Sequence, residues 1–439
     1  MDITDFIHAP LTCDATVRDV AATLLVDTLG VAAGAADGDA GRIARDFAAT
    51  HMAAGQGGPA APLLFDGRVC GLPGAAFAAA TQIDNLDAHD GFNPTKGHIG
   101  CAVVPALFAF ASMRPGLTCA AALDALIMAY EVAGRAGIAL HATVADYHTS
   151  GAWNALGVAA LGARVLGLSP DQTRHALGIA EYHGPRSQMM REIANPTMLH
   201  DGSGMGAMTG VMAAFMAQAG FTGAPAITVE DAPQHWQTLG ADWTITRNYI
   251  KPYPVCRWAH PAIDATRGLM LNHAVSADTV DTIQIETFDA AAALYQGRPT
   301  TTSQAQYALP FPVAALLARG QIGPNEIAGD ALCDPAIERV RARITVRASD
   351  RYTRQFPLKR IARVTVDLRS GQTLCSGDTE PRGGPQEVPM SLSEVEEKFR
   401  IMCAALPDQR CDALLSMRDR MVDADRSFSE LTALVTPPV

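Results

Sequence analysis

The first half of the chain sets long runs of alanine, leucine and glycine between short polar breaks. Asp14 is suited to cap a helix, and behind it Val17, Val20, Ala21, Leu24, Thr28 and Val31 recur at the spacing of one helical face. Similar runs predict helices over 75–83, 101–113, 118–134, 152–166, 171–182 and 203–219. The junction GLSPDQ, 167–172, holds a full set of end signals. Gly167 suits a helix C-terminus, Ser169 an N-cap, Pro170 a first helical position, and Gln172 completes a capping box. Two antiparallel helices are expected to meet there. After about residue 258 the period changes. TVDTIQIETF (279–288), RARITVRA (341–348) and RIARVTVDLRSGQTLCS (360–376) read as strands, with RSGQ turning a hairpin. Helices are expected between them near 260–273, 309–319 and 335–340. The segment SGDTEPRGGPQEVP, 376–389, is expected to be exposed and mobile. A capping box, Ser391 with Glu394 or Ser393 with Glu396, then opens a helical tail. The pattern predicts a mainly α protein with a smaller α+β domain. The helical domain covers 1–257, with 392–439 returning to it, and the α+β domain covers 258–391.

Composition narrows the class. A chain of 439 residues is too long for one ordinary core, so two domains are expected. With 48% hydrophobic and 18% charged residues it reads as globular, and a net charge of −11 argues against nucleic acid or an anionic membrane as a partner. The charge-free run 202–229 is long enough to raise the question of a membrane span. Its glycines, Gln218 and the GFTGAP turn favour a buried helix of small residues instead, so no membrane is expected. Nine scattered cysteines without a C-x-x-C pair read as reduced thiols, and MDITDFIHAP lacks a signal-peptide pattern; a cytoplasmic protein is expected.

Against this apolar background one loop stands out. DNLDAHDGFNPTKGHIG, 84–100, carries Asp84, Asp87, His89, Asp90, Lys96 and His98 between two nearly charge-free segments. A polar loop held at both ends by core helices lies at the surface or lines a cleft. It can be a catalytic or anion-binding loop, or a solvated loop whose aspartates cap a helix. Lys96 is one of only four lysines, with Lys251, Lys359 and Lys398. Asp84, Asp87, His89, Asp90 and His98 are of metal-ligating type, but no H-x-H or H-x-x-x-H pair fixes a geometry, so no metal is expected.

Three further stretches carry candidate chemistry. In DYHTSGAWN, 146–154, Tyr147 and His148 precede a helix whose N-terminal N–H groups can hold a carboxylate. In NPTMLHDGSGMG, 195–206, His200 and Asp201 stand just ahead of a helix. GSGMGA there follows no apolar strand, which argues against a dinucleotide site. In YIKPYPVCRWAHPAIDA, 249–265, two prolines make 251–255 extended and set Lys251 at the expected domain boundary, where ligand sites are favoured. A desolvated lysine there can bind a carboxylate or act as a base; a solvated boundary lysine is the alternative. The chain has no G-x-S-x-G elbow, P-loop, H-E-x-x-H or EF-hand pattern.

Together these stretches resemble the MmgE/PrpD superfamily, which includes 2-methylcitrate dehydratase, cis-aconitate decarboxylase and iminodisuccinate epimerase. DNLDAHD…GHIGCAVVPALFAFA is similar to its Asp-rich loop and histidine, and YHTSGAWNALGVAALGARVLGLSPDQTRHALGIA to its Gly-Trp-His-x-Thr helix. LHDGSGMGAMTGVMAAFMAQAGFTGAP resembles its His-x-Gly segment, KPYPVCRWAHPAIDA its Lys-x-Tyr-Pro-x-Cys signature, and AQYALPFPVAALLARG its Leu-Pro-Tyr stretch. The resemblance implies a large all-helical domain, an α/β lid domain, a homodimer, and cofactor-free chemistry on small di- or tricarboxylates in a cleft between domains. A 2-methylcitrate dehydratase-like hydro-lyase is the favoured expectation, with an iminodisuccinate-type epimerase or isomerase as the alternative. From another class stand a metal-dependent hydrolase using the Asp/His loop and a non-catalytic binding paralogue.

In the expected mechanism Lys251 and Lys96 hold substrate carboxylates, and His98 exchanges a proton with the carbon or the leaving hydroxyl. Asp84 or Asp87 orients and tunes His98, and His89, His148, His200 and Tyr253 complete the substrate contacts. The chain departs from the family pattern at Thr197, where a lysine is common, at Phe311, where a tyrosine is common, and at Ile99, where proline follows the loop histidine. Lys96 is expected to replace part of the missing positive charge.

Overall fold

The computed structural model describes residues 2–439 and divides the chain into two compact units. Unit 1 takes in the chain up to Met189, Leu199–Ile250 and Met402–Val439; unit 2 takes in Met190–Met198 and Lys251–Ile401. The protein is mainly helical, with a smaller α+β part.

Unit 1 is built on α1 (Ala15–Gly34), α2 (Leu72–Leu86), α3 (Gly100–Ala111), α4 (Cys119–Thr143), α5 (Gly151–Leu166), α6 (Pro170–His183) and α7 (Ser203–Gln218). Local chemistry sets their ends. Asp14 accepts the Val17 N–H at 2.9 Å to start α1. Gly167 ends α5 at φ 67°, and Ser169 and Gln172 exchange both bonds of a capping box to open α6. Helix α4 continues to Thr143, past the end expected at 134. Gly137 in this extension serves close packing: a Cβ there would stand 2.8 Å from Thr95 and 2.9 Å from Trp153. The same helix buries Leu123, Leu126, Ile127 and Met128 completely, at roughly 1.5–3 kcal/mol for each large side chain.

Helix α7 packs on α5 and on α2. The crossing with α5 is tight, since a Cβ on Gly206 would lie 2.6 Å from the Gly151 carbonyl oxygen. That approach brings together the starts of α5 and α7, and with them Ser150 and Asp201.

The polar loop between α2 and α3 is not at the surface. Asp84, still inside α2, is buried, as are Asp87, His89, Asp90, Thr95 and His98. Asp87 ends α2 in the left-handed conformation (φ 53°), Asn93–Thr95 form a 3-10 turn, and Lys96 (φ 53°) ends that. A two-residue antiparallel ladder, Gly91 opposite Tyr249 and Phe92 opposite Asn248, ties the loop into unit 1.

Unit 2 contains α8 (His260–His273), β1 (Val280–Thr287), α9 (Pro310–Arg319), α10 (Pro335–Arg341), β2 (Ile344–Ala348), β3 (Ala362–Leu368), β4 (Thr373–Cys375) and α11 (Leu392–Met402). The sheet order is β2-β1-β3-β4, with β1 and β2 parallel and the other pairs antiparallel. Ile283, Ile285 and Thr287 alternate into the core as the period of two predicts. Ser391 and Glu394 form the capping box that opens α11: the Ser391 N–H donates to Glu394 at 2.8 Å. The chain re-enters unit 1 at Met402, and α12 (Asp408–Arg420) packs on α1.

The 376–389 segment is exposed at many positions, as expected, and ion pairs join it to the α8 region. Arg382 pairs with Asp264 at 2.9 Å, and Glu387 pairs with Arg257. Among the described residues no single helix is long and apolar enough to cross a membrane, and none of the nine cysteines is in a disulfide.

Candidate active site

Helix α2, the loop after it, and the starts of α5 and α7 converge on a cluster of acidic and imidazole side chains within unit 1. Asp84, Asp87, His89, Asp90, His98 and Asp201 all lie there, each at most 8% exposed. Burial on this scale restricts the states these groups can adopt, because a charge taken out of water must be paired or neutralised.

His98 is fixed at three points. Its N–H donates to Ser150 Oγ at 3.0 Å and its carbonyl accepts from Asn154 at 2.9 Å. Its Nδ1 lies 2.7 Å from the Asp90 carbonyl oxygen. A carbonyl can only accept, so Nδ1 carries the hydrogen and a neutral ring keeps its lone pair on Nε2. Nε2 faces Asp201 Oδ2 at 3.7 Å. The His98 side chain is 10% exposed, against 1% for His89, 4% for Asp84 and 5% for Asp201.

Asp201 was not singled out for chemistry by the sequence. Its Oδ1 accepts the Ser150 N–H at 3.2 Å and also the Ser150 hydroxyl, while its carbonyl accepts the Gly151 N–H at 2.8 Å. The sequence indicated that N–H groups at the start of α5 can hold a carboxylate. The carboxylate they hold is the chain's own Asp201, and Ser150 links it to the His98 backbone. The usable signal was the adjacency of His200 and Asp201 to a glycine-rich helix start.

Asp84 Oδ2 accepts the Ser203 N–H at 3.1 Å, and its Oδ1 lies 3.7 Å from His89 Nε2, too far for a hydrogen bond. Burial, and after it the Asp201 charge, push the Asp84 carboxyl well above the usual carboxylate range. The His89 and His98 rings meet edge to face, 4.4 Å between centroids. Asp90 caps α3, accepting from Gly100 N–H at 3.4 Å and from the Tyr130 hydroxyl at 3.3 Å. Its carbonyl is the group that meets His98 Nδ1.

The other expected residues lie elsewhere. The Lys96 ammonium stands 4.5 Å over the Tyr147 ring, whose hydroxyl donates to the Lys96 carbonyl. His148 donates its N–H to His141 Nε2 at 3.2 Å. Burial, and then the Lys96 charge, lower His141 to about 4. His200 is buried beside Asp201. Lys251 and Tyr253 belong to unit 2. Lys251 is fully buried rather than solvated, and Tyr253 donates to Asp264 at 2.8 Å and accepts from Arg382 at 3.0 Å.

A helical unit with a buried acid–base cluster, followed by a smaller α+β unit, is the class of protein these features define. The chain belongs to the MmgE/PrpD family: the model of the MmgE/PrpD N-terminal domain matches residues 1–238, and that of the C-terminal domain matches 253–420. It is similar to the cis-aconitate decarboxylase-like protein oryM of Aspergillus oryzae, 22% identical over 413 residues, covering 83% of each chain. It is also similar to the cis-aconitate decarboxylase of Homo sapiens, 24% identical over 392 residues, covering 83% of this chain and 79% of that one.

Proposed function

We propose that the protein is a lyase acting on a small di- or tricarboxylate by proton transfer at a carbon next to a carboxylate, and that it removes water in the manner of a 2-methylcitrate dehydratase. The observation that carries this reading is the pairing, in one buried cluster, of an imidazole whose Nδ1 faces the Asp90 carbonyl, leaving the lone pair on Nε2, and a carboxyl group whose hold on its proton is raised by burial. Dehydration needs both: a base to take the carbon-bound proton and an acid to protonate the departing hydroxyl. His98 is the base in this scheme, with Asp90 and Asp201 as positioning residues, and Asp84 is the acid. Asp87 and His89 surround the reacting pair. In unit 1 Lys96 binds a substrate carboxylate, with His148 and His200 as further contacts.

Decarboxylation is a second reading, supported by the names of both relatives. It requires only that the carbanion left by carbon dioxide be protonated. Thr197 and Phe311, in place of the family's lysine and tyrosine, weigh against it. Proton NMR in heavy water, on a panel of citrate-like, aconitate-like and amino-dicarboxylate compounds, separates the two. Loss of water with deuterium exchange at the adjacent carbon is expected. Loss of carbon dioxide without exchange in the remaining substrate favours decarboxylation, and inversion without loss of either favours an epimerase. No change in any compound with folded protein would refute the lyase reading.

We also propose a homodimer. Ile43 and Phe47, one turn apart on the helix Asp39–His51, and Met205 and Met212 on α7 are large, apolar and exposed. Sedimentation at micromolar concentration should give twice the chain mass; a monomer would remove the proposal.

A further inference from the structure

Two sets of metal-ligating side chains in unit 1 share His89. Asp84, His89 and Cys101 form one, and Asp87, His89 and His98 form the other. In each set the three donor atoms lie within 4.8 Å of one another, and all five residues are buried. Donors about 2.0–2.3 Å from one ion stand roughly 3.3–3.8 Å apart, so small side-chain adjustments close either set on a cation. The sequence argued against a metal because its histidines lack ligand spacing. The fold supplies convergence by another route: Asp87 ends α2 in the left-handed conformation, and an antiparallel bridge from Phe92 to Gly97 folds the loop back beside His98.

The two sets differ in readiness. Cys101 donates its thiol hydrogen to Ser203 Oγ at 3.1 Å, so ligation through sulfur must break that bond and displace a proton. A neutral imidazole that ligates through its unprotonated nitrogen displaces no proton. His98 is also oriented as metal-bound histidines commonly are, with Nδ1–H on a backbone carbonyl and Nε2 left as the donor atom. Two nitrogens and one carboxylate oxygen suit zinc, cobalt or nickel better than magnesium or calcium.

We propose that Asp87, His89 and His98 form a binding site for one divalent cation of the zinc class, and that filling this site and proton transfer by His98 exclude each other. A cation on Nε2 occupies the lone pair that the proton needs. Three protein ligands leave a fourth position for water or a small carboxylate. The ion is then an inhibitor. The inhibition rests on the acid–base role of His98 proposed above; the binding does not.

The test begins with the full chain stripped by chelator. Zn2+ is titrated by calorimetry and Co2+ by visible absorption, with circular dichroism to check folding. One ion per chain is expected, with the d–d bands of four- or five-coordinate cobalt. His89→Asn and Asp87→Asn are each expected to weaken binding roughly a hundredfold or more, since losing even an outer-shell partner costs about 10- to 100-fold. If His89→Asn does not fold, Asp87→Asn carries the comparison. Cys101→Ser should bind as the parent does. Absence of stoichiometric binding overturns the proposal. So does a sulfur-to-cobalt charge-transfer band that Cys101→Ser abolishes, because it moves the ion to the other set. With a substrate in hand, Zn2+ at saturation should stop turnover and chelator should restore it. Full turnover in the metal-loaded protein overturns the exclusion while leaving the binding result intact.

Discussion

Each unit of this protein buries a cluster of charged side chains, and the two clusters are built on opposite principles. In unit 2, carboxylates meet guanidinium groups. Glu387 pairs with Arg257 and lies 3.8 Å from Arg360, while Arg382 bridges Asp264 at 2.9 Å and Glu394 at 2.7 Å. In unit 1 the carboxylates of Asp84 and Asp201 face imidazoles at 3.7 Å and lie near enough to each other to raise Asp84. Arginine keeps its proton at any working pH, so the unit 2 cluster holds one charge state and serves as a brace. Imidazole and carboxyl groups can each take up or release a proton, so the unit 1 cluster can move protons. Burial alone does not distinguish a site from a strut; the chemistry of the partner does.

The sharpest way to break this comparison is to remove the base from the reactive cluster. His98→Gln should lower kcat by about 100- to 10,000-fold with a much smaller change in KM, because a general base acts in the transition state. Its fold should survive. A steady-state assay on the substrate found by NMR reads this directly, and an unchanged kcat would take the base role away from His98.

The opposite operation on the brace should cost stability rather than chemistry. Glu387→Ala leaves Arg257 and Arg360 buried without their carboxylate, a loss of roughly 3–5 kcal/mol. Thermal unfolding should show the midpoint drop, and activity below the transition should persist. Loss of activity in a protein as stable as the parent would mean the unit 2 cluster takes part in the reaction.

This contrast was only partly readable beforehand. The helix positions, the GLSPDQ junction and the strands at 280–287, 344–348 and 362–368 follow from periodicity and caps, which are local. The polar loop announced itself because six titratable residues interrupt an apolar background. Its burial was not readable, since that depends on the ladder with Asn248 and Tyr249, more than 150 residues away. Asp201 and Ser150 were missed for the same reason. Each is an ordinary helix-start residue until two glycines bring α5 and α7 into contact. The tie between Arg382 and Asp264 likewise spans 118 positions, and a glycine- and proline-rich segment gives no local sign of it.

Asp84→Asn refines the comparison by fixing one member of the reactive cluster in a neutral state. The folded protein holds the Asp84 proton above its ordinary 3.8, so folding is favoured below that pH and loses this contribution as pH rises through the folded value. An asparagine cannot ionise. The variant's thermal midpoint relative to the parent should therefore improve as the pH rises above about 3.8, until Asp84 is ionised in the folded parent as well. Its kcat should fall, and the alkaline decline that Asp84 ionisation gives the parent should disappear. A parallel pair of stability curves would mean Asp84 has its ordinary affinity for the proton.

The smallest expected effect comes from Lys96, the one lysine of unit 1. His141 is lowered to about 4, first by burial and then by the Lys96 charge, so Lys96→Met should raise it only part of the way toward 6.5. The sign is opposite to that of Asp84. A base held below its ordinary value contributes its full stability above about 6.5 and loses it as the pH falls toward 4. The His141 ring proton, followed by NMR against pH, should show a higher midpoint in the variant, and the acid-induced fall in thermal midpoint should be shallower. A midpoint that stays put would mean the Lys96 charge does not act on His141, leaving its place over Tyr147 as a matter of packing. A midpoint that rises would show an ammonium still acting electrostatically in unit 1, as a carboxylate-binding lysine must. The same variant should then raise KM for the carboxylate substrate more than it lowers kcat, which separates it from the loss at His98.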